Sequence, residues 1–368
     1  MKIVEIIPAL TCGGAERFVV DLCNELGQTH DVTLLTVFQF RSEDFLQRQL
    51  SSDVRLICLG KKTGLAGALA SLWPIWLFLR RERPDVVHTH LGGLAMIFPA
   101  LVTGIGGGRF FHTVHSDAYL EAQTHSRLLF RRFLFRRGLV VPVAISPESA
   151  QSFVDAYGFP AQMIQNGCSV AEAPEEAKKN AENEMSAWRS CPESTVFLNL
   201  ARMVPQKNQL ALARAVQKLV EEGEKLDLVI MGAEIDREIK EAITALRCPN
   251  IHLAGVREYP LPYLALADAF CLPSLVEGLP ISLLESAALG IPACVSAVGG
   301  MINVVKDGEN GLLATDTGVE EIAELLRRFL RMLPEKRHQM GEEARSAFVP
   351  YSMSRCAAAY LQIMENLR

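Results

Sequence analysis

The sequence has no closely spaced pair of cysteines. Its nine cysteines are scattered and never form a C-x-x-C arrangement, which argues against a disulfide framework and against a cysteine zinc site. The opening residues MKIVEIIPAL hold only a short apolar run, interrupted by Glu5, and therefore do not fit a secretory signal peptide. We expect a reducing, cytoplasmic setting and a first strand at the amino end.

A basic excess is also missing. The net charge is −5, and residues 1–165 carry 16 Lys and Arg against 14 Asp and Glu. A nucleic-acid-binding protein would combine a basic excess with a recognisable motif. No nucleic-acid partner is expected.

Long apolar runs are absent as well. The most membrane-like stretch, from Gly64 to Leu79, contains Pro74 and stays below the ~20 residues that a spanning helix needs. It predicts a buried or interfacial helix, and no transmembrane segment is expected.

What the chain does contain is a repeated alternation of short apolar strands and helical stretches. With 368 residues and a prior of about 150 residues per domain, two large domains are expected. The polar segment at residues 170–193 predicts a connecting region with some helix, between an α/β domain at residues 1–169 and a second one at residues 194–350.

The predicted strands are KIVEII, DVTLLTVF, VRLICL, DVVHTH, RFFHTVH and LVVPVAIS in the first domain, and TVFLNLA, LDLVIMG, IHLAG, AFCLP and IPACVS in the second. β-branched strands that alternate with helices predict parallel sheets. Such sheets bind ligands at the carboxyl ends of their strands. The expected fold class is α/β, with two Rossmann-like doubly wound domains that face a central cleft.

Two glutamates flank a predicted helix start in SLVEGLPISLLESAALG. Glu277 lies in the loop after a strand, Gly278 lets that loop turn, and Pro280 suits the first helical turn. Glu285 then lies about a turn and a half inside the helix. Free N–H groups from Leu279 onward would attract a phosphate, and a carboxylate beside them could hold sugar hydroxyls. The plainer alternative is a helix-start charge followed by a solvated residue.

Two cations follow the strand TVFLNLA. Arg202 stands at the end of this strand, and Lys207 lies five residues later at a helix entry. They could grip a diphosphate, Arg202 as a planar fork and Lys207 as a point charge. An exposed pair that only caps a loop is the alternative.

A glycine pair, Gly13 and Gly14, connects the first strand to a helix in PALTCGGAERF. Glycines at this turn would let the backbone approach a ligand closely. The pattern is not G-x-G-x-x-G, so the dinucleotide fingerprint is missing. Two glycines are also common in strand-to-helix turns that have no ligand-binding role.

Four histidines lie at or near the ends of two predicted strands, in DVVHTHL and FHTVHSD. No acidic residue or cysteine stands at a matching spacing, so a metal site is not expected. We predict that His115 hydrogen-bonds a polar ligand, and that His88, His90 and His112 serve packing or local hydrogen bonding.

Together, CGGAER, HTH, TVHS, ARMVPQKN, and PSLVEGLPISLLESAALGIPACVSAVGG followed by DGENGLL resemble the retaining, metal-independent glycosyltransferases of the GT-B fold, family four. The resemblance spans nearly the whole chain and is most specific at residues 273–313. It implies a nucleotide-sugar donor bound mainly by the second domain, an acceptor presented by the first, and no metal or other cofactor. The chain has no D-x-D triplet, so the positive charge would come from fixed cations and a helix terminus.

The resemblance also implies a role for each motif. Arg202 and Lys207 would neutralise the donor diphosphate, and Glu285 would hold the ribose hydroxyls. Glu277 and His115 would contact the donor sugar, and with Arg202 and Lys207 they are the predicted catalytic residues. The remaining predicted donor contacts are Gly13, Gly14, Gly278, Leu279 and Pro280.

Two positions depart from the family pattern. Ala201 stands where a glycine is usual, and Asn303 stands where a glutamate is common. The first predicts only a small local adjustment, and the second could alter the loop near the donor. The resemblance further implies that the last helix, within residues 351–368, packs back on the first domain.

The favoured donor is a UDP-sugar, and the expected acceptor is a glycan or a lipid-linked glycan in bacterial surface polysaccharide synthesis. Two rivals stay open: a non-catalytic sugar-nucleotide-binding scaffold, which a turnover assay would separate, and a nucleotide-sugar epimerase on the same fold. The oligomeric state is left open.

Peripheral contact with the inner face of the cell membrane is a further alternative. The stretch HSRLLFRRFLFRRG interleaves Leu and Phe with Arg127, Arg131, Arg132, Arg136 and Arg137. Such a helix could rest on anionic lipid. Because its apolar residues surround nearly the whole helix, a core helix whose arginines reach the solvent is favoured.

Overall fold

The computed structural model describes residues 1–11, 13–41, 44–91, 109–115 and 117–366. The chain forms two compact units. The first unit comprises Met1–Cys168 and Tyr351–Arg368, and the second unit comprises Ser169–Pro350.

The first unit is built on a parallel sheet whose described strands follow the order β3-β2-β1-β4-β5-β6-β7. These strands are β1 (Lys2–Ile7), β2 (Asp31–Phe38), β3 (Val54–Lys61), β4 (Val86–His90), β5 (Arg109–Val114), β6 (Val141–Ala144) and β7 (Gln162–Met163). The central strands are buried on both faces, which explains their nearly continuous apolar character. The strand order reverses between β1 and β4, and such a switch point is where open α/β sheets bind ligands.

The helices of this unit flank the sheet. They are α1 (Gly14–Gly27), α2 (Leu65–Glu82), α3 (Ala118–Ala122), α4 (His125–Arg136), α5 (Pro147–Tyr157) and α14 (Met353–Asn366), with a 3₁₀ helix at Leu46–Gln49. Helix α14 packs against α1, and its Tyr360 and Met364 are completely buried. The last helix is therefore part of the first unit's core.

The second unit repeats this architecture with the strand order β10-β9-β8-β11-β12-β13, all parallel. Its strands are β8 (Thr195–Leu200), β9 (Leu226–Met231), β10 (Ile251–Gly255), β11 (Ala269–Leu272), β12 (Ala293–Ser296) and β13 (Gly311–Ala314). Here the order reverses between β8 and β11. The two parallel sheets confirm the predicted α/β fold class with two doubly wound sheets.

Helices cover the second sheet as well. They are α6 (Glu175–Trp188), α7 (Gln209–Glu221), α8 (Arg237–Ala245), α9 (Leu261–Ala265), α10 (Ile281–Leu289), α11 (Met301–Val304), α12 (Val319–Leu330) and α13 (Pro334–Phe348), with 3₁₀ helices at Pro205–Lys207 and Val349–Tyr351. Helices α7 and α12 pack together through apolar residues at helical spacing, including Leu212, Val216, Ile322 and Leu326.

Some elements differ from the sequence-based expectation. Strands β7 and β13 were not predicted. The polar segment 170–193, where some helix was expected, contains helix α6, which buries Ala181 and Met185 and packs on α9. This helix belongs to the compact second unit.

Helix α4 is the arginine-rich stretch. It buries Leu128, Leu134 and Phe135, as a core helix should. Its Arg131 does not reach the solvent, however, since it is completely buried and donates to Glu121 Oε1 at 3.0 Å. Within the described residues, no helix combines the length and apolar character that crossing a membrane requires.

Candidate active site

The carboxyl ends of β8 and β11 bring a lysine and a glutamate into direct contact. Lys207 ends the 3₁₀ helix after β8, Glu277 follows β11, and Lys207 Nζ donates to Glu277 Oε1. Ser274 Oγ donates to the same carboxylate oxygen at 2.7 Å. The lysine side chain is 18% exposed and the glutamate side chain 9%. Two residues assigned to different parts of a donor thus form one partly buried ion pair at the switch point.

Hydrogen bonds to backbone carbonyls connect the two loops that carry this pair. Leu275 N–H donates to Gln206 O at 2.8 Å. Asn208, in the left-handed region with φ 57°, donates its amide to Pro273 O at 3.2 Å and to Thr317 O at 2.8 Å. Sequence reasoning missed Asn208, although its place directly after Lys207 in PQKN and the tolerance of asparagine for this conformation could have revealed it.

Arg202 stands directly after β8 and is exposed. Its carbonyl accepts from Gln209 Nε2 at 2.9 Å, which fixes the backbone at this point. Within the residues that the structure describes, no carboxylate pairs with its guanidinium. Arg202 therefore presents a positive charge without a carboxylate partner among the described residues, in the loop that follows β8.

The alanine before Arg202 has a structural counterpart in Gly232. Gly232 adopts φ 142°, and a Cβ atom there would lie 2.1 Å from Ala201 O. The close approach between the two loops therefore requires glycine at position 232. The atom contacted at position 201 is a backbone oxygen, which is present whether residue 201 is glycine or alanine. The expected local adjustment at Ala201 is small on this geometry.

Helix α10 begins beside Glu277. Pro280 is the N-cap residue, with φ −70° and ψ 129°, and the helix starts at Ile281. The prediction that Pro280 lies in the first helical turn was therefore wrong by one position, because its extended ψ angle places it just outside the helix. No side chain caps this helix start, so the first-turn N–H groups and the positive end of the helix dipole are available to an anion.

Two glycines that the sequence analysis did not select pack on this loop. A Cβ atom at Gly299, whose φ is 52°, would lie 1.8 Å from Glu277 O. Gly300 N–H donates to Gly278 O at 2.6 Å. The V-G-G turn therefore supports the backbone of Glu277 and Gly278, and no larger residue fits at position 299 without displacing it.

Glu285 is the fifth residue of α10 and is 5% exposed. It is thus no solvated surface residue, which was the plainer alternative. Asn303, by contrast, lies exposed on the short helix α11.

In the first unit, Gly13 and Gly14 form the start of α1. Gly13 is the N-cap residue with φ −121° and ψ 162°, so it does not need the positive φ that only glycine tolerates. A Cβ atom at Gly13 would instead lie 2.3 Å from Glu16 Oε2, and Thr11 Oγ1 donates to the other oxygen of that carboxylate at 2.6 Å. A larger residue at position 13 would have to displace the Glu16 side chain, which folds over this glycine.

The histidines surround a buried carboxylate, an acidic partner that the sequence analysis did not find. Glu5 on β1 stands opposite His88 on the neighbouring strand β4. His90 Nε2 lies 2.7 Å from Glu5 Oε2, and His88 Nδ1 lies 3.0 Å from the same oxygen. His115 Nε2 in turn lies 2.9 Å from His90 Nδ1. Sequence reasoning missed this acidic partner because Glu5 is distant from the histidines in sequence and adjacent to them in the sheet. The position of Glu5 inside the apolar strand KIVEII was a signal, because a buried carboxylate needs a partner.

A second carboxylate supports the neighbouring strand. His112 Nε2 lies 2.9 Å from Glu121 Oε1, and Glu121 Oε2 accepts from the backbone N–H of His115 at 3.0 Å. With Arg131 on its other side, Glu121 is fully paired. The local hydrogen bonding expected of His112 is present, and Glu121 is a further residue that sequence reasoning missed.

Burial and charge set the protonation of this region. Burial alone would raise the pKa of Glu5, but the charge and hydrogen bonds of His88 and His90 outweigh it and lower that pKa to about 2. Burial, with the neighbouring His88, lowers the pKa of His90 to about 4. Burial and His90 together lower the pKa of His115 well below its ordinary value. At neutral pH the carboxylate is ionised, and His90 and His115 are neutral.

The two parallel doubly wound sheets have the architecture of the GT-B fold. Residues 12–172 match the model of Glycosyltransferase Family 4, and residues 180–347 match that of Glycosyl transferases group 1. The chain belongs to this family, and it is a glycosyltransferase that uses a nucleotide-sugar donor.

Three similar proteins illustrate the family. The chain is 30% identical over 323 residues to a GDP-mannose-dependent alpha-(1-6)-phosphatidylinositol monomannoside mannosyltransferase of Mycolicibacterium smegmatis, covering 84% of each chain. It is 24% identical over 325 residues to the UDP-Gal:alpha-D-GlcNAc-diphosphoundecaprenol alpha-1,3-galactosyltransferase of Escherichia coli, covering 84% of this chain and 82% of the relative. The crystal structure of Anabaena Alr3699/HepE in complex with UDP and glucose matches over 100% of both chains, with a TM-score of 0.81 at 17% identity.

Proposed function

We propose that this chain is a retaining, metal-independent glycosyltransferase that moves a sugar from a UDP-sugar to a lipid-linked glycan during bacterial surface polysaccharide synthesis. The observation that carries the proposal is the set of groups suited to an anion at the carboxyl ends of β8 and β11. Arg202 and Lys207 follow β8, and the uncapped start of α10 follows Glu277 after β11. An anionic diphosphate is the ligand that such an arrangement suits.

The same groups would act on the transition state. As the glycosidic bond breaks, the leaving diphosphate gains negative charge and the sugar becomes oxocarbenium-like. Lys207, Arg202 and the helix N–H groups would stabilise the separating charge most when it is largest. Glu277 lies next to Lys207, so its carboxylate would hold the sugar that leaves the phosphate.

Glu285 is proposed to hold the ribose hydroxyls of the donor. It lies one helical turn beyond the uncapped start of α10 and is nearly buried. A buried carboxylate accepts strong hydrogen bonds from hydroxyl groups. His115 and Gly14 are proposed to contact the donor sugar and its phosphate from the first unit, with Gly13, Gly278, Leu279 and Pro280 supplying backbone contacts.

The donor base is proposed to be uracil. The Escherichia coli relative uses UDP-Gal and the Anabaena protein binds UDP, whereas the mycobacterial relative uses GDP-mannose. A thermal-shift panel of UDP, GDP, ADP and NAD tests the choice, since a ligand at ~100 times its dissociation constant adds about 2.7 kcal/mol of stability. We expect a shift with UDP alone. A shift with GDP alone would overturn the donor assignment, and UDP binding without sugar transfer to any acceptor would favour the scaffold.

The lipid-linked acceptor is supported by the outer surface of α2. This helix buries Gly67, Ser71, Ile75 and Leu79 against the first unit. Its opposite side carries an apolar row of Leu65, Leu69, Trp73 and Leu77, which are 70%, 57%, 66% and 52% exposed. A helix on a protein surface ordinarily presents polar residues on its outer side. This apolar row therefore favours contact with the apolar part of a lipid membrane.

The charges around α2 select an anionic lipid surface as its partner. No acidic residue occurs from Val54 to Arg81, and Lys62, Arg80, Arg81 and Arg83 are exposed beside the row. Trp73 stacks on Trp76 with ring centroids 4.6 Å apart, and Arg80 lies 5.3 Å above the Trp76 ring. Tryptophan at the interface, apolar side chains below it and cations at headgroup level are typical of helices that lie on anionic membranes. The enzyme would thereby meet its acceptor at the inner face of the cell membrane.

Vesicle sedimentation tests this surface. Wild-type protein should bind vesicles that contain phosphatidylglycerol at low salt and detach as salt rises, because each surface cation contributes about 1 kcal/mol. Trp73→Glu should abolish sedimentation and leave the UDP thermal shift intact. Leu333→Glu, which changes an equally exposed leucine of the second unit, is the control and should still sediment. Equal sedimentation of all three proteins would exclude α2 as the lipid-binding surface.

A further inference from the structure

The buried carboxylate of Glu5 has no part in the proposed donor contacts, although it is completely excluded from solvent. It belongs to what we call the histidine cluster: Glu5, His88, His90, Thr113, His115 and Tyr360. Every member is joined to the next by a hydrogen bond. A buried charge in this position needs donors on all sides, and that need sets the direction of each bond.

The direction can be followed from Glu5 to His115. Because an ionised carboxylate only accepts, His90 must carry its proton on Nε2, which lies 2.7 Å from Glu5 Oε2. A neutral imidazole has one proton, so His90 Nδ1 is an acceptor. His115 Nε2, 2.9 Å away, must then be the donor. His115 is left with Nδ1 unprotonated, and none of the described residues bonds that atom.

The other side of the cluster begins with a second donor to Glu5. Because the ionised carboxylate only accepts, His88 Nδ1 must donate to Glu5. His88 Nε2 lies 2.7 Å from Thr113 Oγ1, which lies 2.9 Å from Tyr360 OH on the last helix. The single carboxylate therefore sets the proton positions of His90 and His115.

The ring of His115 is also held in place by packing. Its centroid lies 5.4 Å from that of Phe18 in an edge-to-face arrangement, and its backbone N–H donates to Glu121 at 3.0 Å. With both ring orientation and proton position fixed, only Nδ1 remains for a ligand.

We propose that Glu5 and His90 are positioning residues that hold His115 as the neutral Nε2–H tautomer, so that its Nδ1 accepts a hydrogen bond from a hydroxyl of the donor sugar. The sugar contact rests on the proposed function, whereas the tautomer does not. His115 thus acts as a hydrogen-bond acceptor and supplies no proton to the reaction. The lowered pKa values of His90 and His115 agree with two neutral rings.

Long-range ¹H–¹⁵N NMR of the full chain reads the tautomer directly, with His115→Asn used to assign the resonance. We expect the Nε2–H pattern for His115 at neutral pH in the protein without ligand. The Nδ1–H pattern, or an imidazolium, would overturn the proposal. Stoichiometric zinc in the purified protein would overturn it as well, since Glu5, His88 and His90 place potential ligand atoms within 4.8 Å of one another and a metal would replace their protons.

Variants then separate positioning from structure. His90→Phe keeps a ring of similar size and removes the bond to His115, so His115 should become a mixture of tautomers. Loss of one oriented hydrogen bond should lower kcat roughly tenfold and leave the UDP dissociation constant unchanged. Glu5→Leu should have the same effect and serves as the second variant if His90→Phe does not fold.

The control is Asp227→Asn in the second unit. Asp227 is also completely buried and accepts from Ser190, Ser194 and Asn250, so its loss tests the removal of a buried carboxylate as such. It should lower thermal stability and leave the His115 spectrum unchanged. A wild-type Nε2–H pattern that persists in His90→Phe with unchanged kcat would overturn the positioning role. If the spectra show the expected tautomers but the protein transfers no sugar from any nucleotide sugar, the positioning of His115 by Glu5 and His90 is upheld and the proposed function is refuted.

Discussion

The two sheets of this protein share one strand order around the switch point and place opposite kinds of chemistry there. At the ends of β8 and β11, a lysine and a glutamate form an ion pair that is still partly open to solvent. Between β1 and β4, a carboxylate is completely buried among histidines. The first arrangement can exchange its partner for a charged ligand, and the second cannot exchange anything without unfolding locally.

This difference explains how one topology serves two purposes. An open pair in a higher effective dielectric costs little to separate, so Lys207 can turn from Glu277 to a phosphate. A closed network is costly to disturb because any unpaired member stays buried. The second unit therefore offers a charged pair that can change partners. The first offers a hydrogen-bond acceptor, His115 Nδ1, whose position is fixed.

Removal of the adjustable charge should have the largest effect. Lys207→Ala deletes the cation and leaves Glu277 without its partner, so repulsion of the donor diphosphate adds to the lost attraction. Loss of one such charged hydrogen bond should reduce kcat/KM about a hundredfold. Lys225→Ala, which removes an exposed lysine near Glu193, is the matched control and should change neither kcat/KM nor UDP affinity. Equal activities in both variants would remove Lys207 from the site.

A smaller effect is expected at Glu285. Glu285→Ala should weaken UDP binding roughly tenfold, as expected for the loss of hydrogen bonds to an ionised group, while deoxyuridine diphosphate should lose less because it lacks one ribose hydroxyl. Isothermal titration of both nucleotides gives the comparison. If the variant weakens the two equally, Glu285 does not hold the hydroxyl by which they differ.

The pH dependence of stability should differ between the units. Below about pH 6.5 the unfolded chain protonates histidines that stay neutral in the folded first unit, since the pKa of His90 is lowered to about 4. The first unit should therefore lose stability as the pH falls through this range. The carboxylates Glu5 and Asp227, with pKa values lowered to about 2, contribute stability that is lost only below about pH 4.

Hydrogen exchange measures this difference in pH dependence between the two units, which is the smallest effect that we expect. Between pH 6.5 and 4 the amides of β4 and β5 should lose protection before those of β8 and β9, because the described part of the second unit buries no histidine. Parallel loss in both sheets would contradict the assignment of neutral histidines to the first unit.

The sequence allowed most of the strands to be predicted, because their apolar runs are local patterns. Arg202, Lys207 and Glu277 follow strands whose apolar runs are unmistakable. Strand β13 escaped because GLLA is short and follows a turn. Strand β7 escaped because Gln162–Met163 is only two residues long and exposed.

Contacts between distant segments could not be read from the chain. The bond from His90 to Glu5 depends on β1 and β4 being neighbours, and that adjacency follows from the reversal of strand order rather than from any local pattern. The buried state of Arg131 likewise depends on Glu121 at the end of a short helix. The outward row on α2 was visible as apolar residues, but which of its sides would face the core depended on how it packs.

The return of α14 to the first unit has a consequence for synthesis on the ribosome. Residues 169–350 form a continuous compact segment and can fold as soon as they have emerged. The first unit lacks Tyr360 until translation has passed residue 360, so Thr113 and the buried histidines are without that partner while the second unit can already fold. The segment translated later is thus completed earlier, and a nascent chain cut short before α14 would carry a finished second unit beside an open first one.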